Sequence, residues 1–262
     1  MDGPFRGGVV KVLEGKTALI TGAAGDIGRA IALKFAAAGA DIAANDLSLM
    51  AAESVTEKVK EMGRRALPFE ADVTDEGAVE RMVEDLVAAW GKVDILVAGA
   101  GIRRDLPLEQ MTSDDWQAVV DVSLKGCFHC VRAVQKHMTR RRFGKIIILS
   151  SPVPPGLRRP GNVHYSTASA GLMGLTVSLA VELGPYNITV NALAPDFIRS
   201  RMTRETLKKE GWFMEDFEKA ALAHIPLRRL GTPEEVSRVA LFLASDDSAF
   251  ISGQVIHVRG GP

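Results

Sequence analysis

Residues 17–28 read TALITGAAGDIG, and the change of character within this stretch decides the fold. TALIT (Thr17–Thr21) is a short apolar run that reads as a strand. It runs directly into Gly22-Ala23-Ala24-Gly25-Asp26-Ile27-Gly28, a Gly-x-x-Gly-x-x-Gly turn. From Asp26 to Ala38, Ile27, Ile31, Ala32 and Phe35 fall on one face of a helix, and Gly39 stands where a left-handed residue ends it. Between a strand and a helix such glycines have a mechanical meaning. One makes the tight turn, one lets the backbone approach a pyrophosphate, and one lets helix pack on strand. The anion then rests on the helix N-terminus, where free N–H groups and the helix dipole favour it. Glycines also serve ordinary turns, so the placement carries the argument rather than the spacing.

Outward from this unit the same alternation repeats. Strands are expected at 41–45, 66–70, 93–98, 145–149, 189–193 and 254–258, and helices at 50–62, 77–90, 114–141 and 164–183. KIIIL (Lys145–Leu149) is the continuous apolar run of a strand buried on both faces. Seven strands with intervening helices, no composition break and no internal repeat make one doubly wound, parallel α/β sheet of the Rossmann type, with helices on both faces. Residues 1–14 read as a loose arm and 15–262 as the domain, with the polar helical stretch 197–226 as an insertion covering the ligand crevice.

The bulk composition narrows the function classes. Lys plus Arg and Asp plus Glu each number 32 among the 262 residues, so nothing favours nucleic acid or an anionic membrane as partner. Two cysteines make no disulfide framework. Cys127 and Cys130 have C-x-x-C spacing inside a long helix, where small packing residues are the better reading than redox or metal chemistry. Histidines 129, 137, 224 and 257 have no ligand spacing, so no metal site is expected. No secretory signal and no apolar stretch of bilayer length are visible, and the expected location is the cytoplasm.

Asp46 ends the second strand, roughly 20 residues past the glycines, where an acidic side chain takes the adenosine ribose hydroxyls. A 2′-phosphate would meet its charge, and Lys34 is the one basic residue between Arg29 and Lys58. NAD(H) is therefore expected over NADP(H); the competing reading of Asp46 is a cap on the next helix. Asp72, just past strand 3, could meet an adenine edge or serve an ordinary turn.

With these landmarks on the page, the chain resembles the short-chain dehydrogenase/reductase family over essentially its whole length. The resemblance rests on the glycine turn, Ala71-Asp72-Val73, Ala98-Gly99-Ala100-Gly101, Ser150-Ser151, Tyr165-Ser166-Thr167-Ala168-Ser169-Ala170-Gly171, Asn191-Ala192-Leu193-Ala194-Pro195, and Arg229-Leu230-Gly231-Thr232-Pro233-Glu234-Glu235-Val236, in that order. It implies hydride transfer between a nicotinamide and a carbonyl or alcohol, with a Tyr as acid/base and a Ser polarising the substrate oxygen. It also implies a Lys four residues after the Tyr, an Asn in the long helix after strand 4, and a homodimer or homotetramer. Tyr165 and Ser151 match. The lysine position holds Ser169 and the asparagine position holds Ser123. Asp26 stands where a third turn glycine is usual, Ala98-Gly99 replaces an Asn pair, and Asp196 follows Pro195 where glycine is customary. The cofactor contacts implied are Gly22, Gly25, Asp26, Ile27, Gly28, Asp46, Asp72, Val73, Ala98, Gly99, Ala100, Tyr165, Pro195 and Ile198.

A free Tyr has a pKa of about 10, so only about one in a thousand is ionised at neutral pH, and a nearby cation is the usual remedy. Without the lysine, the oxidised nicotinamide, His164, Arg158 or Arg159 could supply that charge; His164 reads more simply as a helix-surface or interface residue. Arg103, Arg104, Arg158, Arg159, Arg199, Arg201 and Arg204 fall in loops over the crevice. They suit an acidic substrate, although loops are charged anyway. Trp212, Phe213, Met214 and Phe217 could line a substrate lid or pack the insertion down. Two functions stay open: an NAD(H)-dependent oxidoreductase on a small hydroxyl or carbonyl compound, or a catalytically degenerate relative acting as a nucleotide- or ligand-binding protein, a partner subunit or a non-redox enzyme.

Overall fold

The computed structural model describes residues 11–152, 161–209, 211 and 213–261. Its strands are β1 (Thr17–Thr21), β2 (Asp41–Asp46), β3 (Ala66–Glu70), β4 (Ile95–Ala98), β5 (Gly144–Leu149), β6 (Ile188–Pro195) and β7 (Val255–Val258). All pair in parallel, in the order β3-β2-β1-β4-β5-β6-β7. The order reverses between β1 and β4, which opens a crevice beyond their C-terminal ends. The helices are α1 (Asp26–Ala37), α2 (Leu49–Glu61), α3 (Glu76–Trp90), α4 (Ser113–Val120), α5 (Gly126–Arg141), α6 (Val163–Leu183), α7 (Arg201–Lys209), α8 (Met214–Leu222) and α9 (Pro233–Ala244).

Strand residues point alternately to two cores. Ala18, Ile20, Ile95, Val97 and Ile147 face α1, α2 and α9, against Ile31, Phe35, Val55, Val59, Val236 and Leu243. Leu19, Leu96, Ile146 and Ile148 face α3, α5 and α6, against Val83, Leu86, Val134 and Leu172. Every strand of the sheet's centre is thus buried on both sides, which is why these strands are apolar throughout.

Four sequence expectations change. The loose arm does not extend to residue 14: Leu13 is fully buried, its N–H donates to Ala38 O (2.9 Å), and Glu14 pairs with Arg64 (2.9 Å). The helix expected over 114–141 is interrupted by a π-helical turn, Asp121–Lys125. Helix α9 escaped the periodicity reading, although Thr232-Pro233-Glu234-Glu235 spells a capping box with Pro in its first turn. Finally, Val163–Tyr186 is long and apolar enough for a membrane span, with mean hydropathy 1.3. Its inner face is packed in the domain through Ala168, Leu172 and Leu183.

A buried carboxylate pins the edge of the sheet opposite the crevice. Asp94, 1% exposed, accepts from Thr17 N–H (2.9 Å) and pairs with Lys92 (2.9 Å) and Arg141 (2.7 Å). Burial opposes its charge, but these three donors outweigh burial and hold its carboxyl below the ordinary value. A depressed carboxylate stabilises the fold above its unfolded pKa, and that stability is lost as pH falls through the folded value. Asp94→Asn should therefore destabilise by on the order of 3 kcal/mol at neutral pH. In denaturant melts the gap from wild type should narrow below about pH 4.

Candidate active site

The glycine turn divides its labour. Gly22 has φ +64°, and a Cβ there would lie 2.8 Å from Gly99 O and 2.9 Å from Ala100 Cα. A Cβ on Gly28 would lie 2.3 Å from Gly22 O, so this glycine lets α1 pack against the turn. Gly25 is different: a Cβ would meet only Gly22 O, at 3.3 Å. It is also the N-cap of α1, and no side chain caps that helix. The first N–H groups of α1 are thus left facing the crevice beside an open glycine, as a pyrophosphate requires. Ile27 follows within the same first turn of α1. Thr21 Oγ1 ties the neighbouring loop down, accepting from Gly99 N–H (3.1 Å) and Ala100 N–H (3.3 Å), next to buried Ala98.

Asp46 sits beside this turn: its Oδ2 accepts from Ala24 N–H (3.1 Å) and its Oδ1 from Leu47 N–H (3.0 Å). It does not cap α2; Ser48 does, accepting from Ala51 N–H. Each carboxylate oxygen keeps a further lone pair for a hydroxyl donor. Asp72 fits the turn reading, since its Oδ1 accepts from both Thr74 N–H and Thr74 Oγ1 at 2.8 Å. Val73 is buried against Gly126, and its carbonyl bonds His129 Nδ1 (2.9 Å).

The chemistry-bearing residues gather where β5 and β6 end. Tyr165, near the start of α6, is half-buried. Burial pushes its hydroxyl above the ordinary tyrosine value; a hydrogen bond with Ser151 and the charge of Arg103 pull it down, while Asp196 and Asp105 add to the rise. The Arg103 guanidinium lies 5.9 Å from the Tyr165 ring centroid. Asp105 holds it there with both oxygens on Nε (2.9 and 3.1 Å). The Asn162 amide completes the clamp, accepting from Arg103 Nη2 (3.1 Å) and donating to Asp105 Oδ1. Asp196, just past Pro195 at the end of β6, has its carboxyl raised by burial, against Phe197 N–H, Arg259, Arg103 and His257. Phe197 takes a left-handed φ of +52°, costly for an aromatic residue, and its N–H donates to Asp196 Oδ1 (2.9 Å). Ile198 follows, buried and bridged to Gly231.

The two replaced positions are both buried. Ser123 lies within the π-helical turn, 8% exposed, and its Oγ has no hydrogen-bond partner among the described residues. Ser169, 4% exposed, accepts a hydrogen bond from Ser150 Oγ on its carbonyl (3.1 Å). His164 is not the missing cation. It is fully buried, burial lowers its pKa, and its Nδ1 accepts from Tyr165 N–H (2.9 Å), so it is neutral near pH 7. Arg158 and Arg159 lie outside the described residues. That Arg103 is the loop arginine standing over Tyr165 was not legible in the sequence, where nothing shows which of them reaches the tyrosine.

The other expectations fare unevenly. Arg104 pairs with Asp115 (3.4 Å), Arg199 with Glu218 (2.6 Å), Arg201 with Glu205 (3.7 Å) and Arg204 with Asp26 (3.6 Å). With Arg103 on Asp105, all five described loop arginines have a carboxylate partner. Asp26 also accepts from Arg201 N–H, so the insertion is latched onto the first turn of α1. Trp212 lies outside the described residues; Met214 and Phe217 pack against Ala221, Ile225 and Leu230, whereas Phe213 is 74% exposed. Cys127 and Cys130 are buried thiols, and burial raises both, Cys130 to about 12. No group of three or more potential metal ligands occurs among the described residues.

Comparison with known proteins agrees with this geometry. A family model described as enoyl-(acyl carrier protein) reductase matches residues 22–262. The chain is 42% identical over 250 residues to the 3-oxoacyl-[acyl-carrier-protein] reductase FabG of Thermotoga maritima, covering 95% of this chain and 98% of that one. It is 37% identical over 249 residues to the (2S)-[(R)-hydroxy(phenyl)methyl]succinyl-CoA dehydrogenase subunit BbsD of Thauera aromatica, covering 95% and 97%. The crystal structure of a short-chain type dehydrogenase/reductase from Mycobacterium marinum superposes with TM-score 0.88 at 32% identity, covering 96% of each chain. A reversing parallel sheet, an uncapped glycine turn at its switch point and a Tyr–Ser pair on the same edge thus meet whole-length similarity, and the chain belongs to the short-chain dehydrogenase/reductase family of oxidoreductases.

Proposed function

We propose that the chain is an NAD(H)-dependent oxidoreductase that interconverts a hydroxyl and a carbonyl on a small molecule. One observation carries this reading: Tyr165 and Ser151 interact at the sheet edge that also presents the open glycine turn. The bound nicotinamide would supply or accept the hydride. Gly22, Gly25 and the N-terminus of α1 hold its pyrophosphate, Asp46 its adenosine ribose, and Ala98 to Ala100 with Pro195 and Ile198 line the way to the nicotinamide. Ser151 orients the substrate oxygen. Tyr165 Oη gives that oxygen a proton in reduction and removes it in oxidation. Ser123 Oγ, buried with no partner among the described residues, would bond a substrate or relay hydroxyl.

Because burial raises Tyr165, its hydroxyl is protonated at neutral pH, which suits proton donation to a carbonyl. Oxidation needs the phenolate. Its rate should climb about tenfold per pH unit up to a folded tyrosine value above the ordinary one, whereas reduction should hold level and then fall. Rates of NADH formation and consumption against pH check this. A panel of small carbonyl and hydroxyl compounds, followed by NADH absorbance, tests the activity itself; no turnover with any of them, despite NADH binding, would favour the second reading.

That second reading is a partner subunit without turnover, supported by the two serines at 169 and 123 and by a relative whose own name is that of a dehydrogenase subunit. Ser169→Lys with Ser123→Asn separates the two. Activity that appears only in the double variant means the natural chain is not a working dehydrogenase. The outward face of α6, where Val177 and Val181 are 51% and 75% exposed, supports a homodimer or homotetramer, measurable by light scattering.

A further inference from the structure

Helix α6 offers Tyr165 no cation. His164 is neutral and turned onto the Tyr165 N–H, and Ser169, one turn along, is uncharged and buried. The charged groups facing the tyrosine come instead from the loops beyond the strands. Arg103 and Asp105 lie on the loop after β4 and Asp196 follows β6, while Arg259 and His257, at the β7 end, face Asp196 rather than the phenol. Among these, Arg103 is the cation over the ring.

Its placement is built rather than incidental. The Arg103 side chain is 28% exposed and Asp105 17%. Two bonds to Nε and one from Nη2 to the Asn162 amide fix the guanidinium plane. Arginine keeps its charge throughout the working range and carries donors in a rigid fork, so it can be clamped and still act at a distance as a cation. Arg104, its neighbour, turns to Asp115 instead and takes no part.

We infer that Arg103 is the positioning residue of this site: clamped by Asp105 and Asn162, it stabilises the ionised form of Tyr165, a task that no side chain of α6 performs here. The inference rests on the reading of Tyr165 as acid/base. It also explains the acidic clamp. Asp105 holds the guanidinium in place at the expense of cancelling part of its field, so the two residues must act on the phenol with opposite signs.

The test needs neither substrate nor cofactor. The chain has two tyrosines, so Tyr186→Phe leaves Tyr165 as the only one. Full-length protein in this background, labelled with meta-fluorotyrosine to bring the phenol titration down, then gives one fluorine resonance that reports ionisation at residue 165. Arg103→Met should raise the titration midpoint by about one pH unit, and Arg103→Lys should restore most of it. Asp105→Asn should shift the midpoint the other way, downward, which general damage to the loop would not do. An unmoved midpoint in Arg103→Met, no rescue by Lys, or an upward shift in Asp105→Asn overturns the inference. If the shifts appear but Tyr165→Phe retains turnover, the coupling stands and the acid/base reading of Tyr165 is what fails.

Discussion

Tyr165→Phe is expected to lower hydride transfer about 100- to 10,000-fold while leaving NADH affinity nearly unchanged. The reasoning is local. The phenol hydroxyl is the group placed against Ser151 at the crevice edge, and its loss removes the proton donor without creating a cavity or an unpaired charge. The ring, over which Arg103 stands, remains. Folding should therefore be preserved, and Tm should shift little. The measurement is single-turnover NADH oxidation on the best carbonyl compound of the panel, with NADH affinity taken from fluorescence. A loss smaller than about tenfold would mean another group moves the proton, and Asp196, with its raised carboxyl on the same edge, would be the first to examine.

The second large effect concerns the turn and separates two kinds of glycine. Gly22→Val should cost about 2–5 kcal/mol of stability, because a β-branched residue at φ +64° adds backbone strain to a contact of 2.8 Å with Gly99 O. The shift of the Gly99–Ala100 loop should also remove measurable NADH binding. Gly25→Ala should do the opposite. Its φ of −65° suits any residue, and its only near neighbour is Gly22 O at 3.3 Å, so Tm should hardly move. The new methyl group instead occupies the space in front of the uncapped N-terminus of α1, and NADH affinity should fall by about tenfold or more. Thermal melts and fluorescence titration on the two variants decide this. Equal losses of stability in both would mean that Gly25 serves packing and not a ligand.

What the sequence made legible was whatever follows from periodicity and punctuation. The seven strands were readable because each buried strand is a short apolar run between turn residues, as in KIIIL at 145–149. Helix α9 was equally signalled by Thr232-Pro233-Glu234-Glu235, but it lay within a stretch read as a motif rather than as an element. The π-helical turn at Asp121–Lys125 was out of reach, since its residues fit an ordinary helix and only the packing of Ser123 and Gly126 reveals the extra residue. The site divides the same way. Tyr165, Ser151 and the turn are contiguous motifs. Arg103, Asn162 and Asp105 are brought together from either side of a long intervening stretch, and the loop arginines look alike in sequence until the five described ones are seen with their carboxylates. Asp46 shows a residue whose two readings differ only in which backbone N–H it meets, and it meets Ala24 in the glycine turn rather than the start of α2.

Asp46 is also where cofactor choice can be tested by exchange. A 2′-phosphate would stand against its carboxylate, so Asp46→Asn should improve NADPH binding relative to NADH by about tenfold.

The central claim is tested most directly by titrating NADH and NADPH separately into the purified wild-type chain and following nucleotide fluorescence. The prediction is saturable NADH binding, at least about tenfold tighter than NADPH, from the charge of Asp46 beside the ribose position. Binding of neither nucleotide would contradict the oxidoreductase reading altogether, and tighter binding of NADPH would contradict the role given to Asp46.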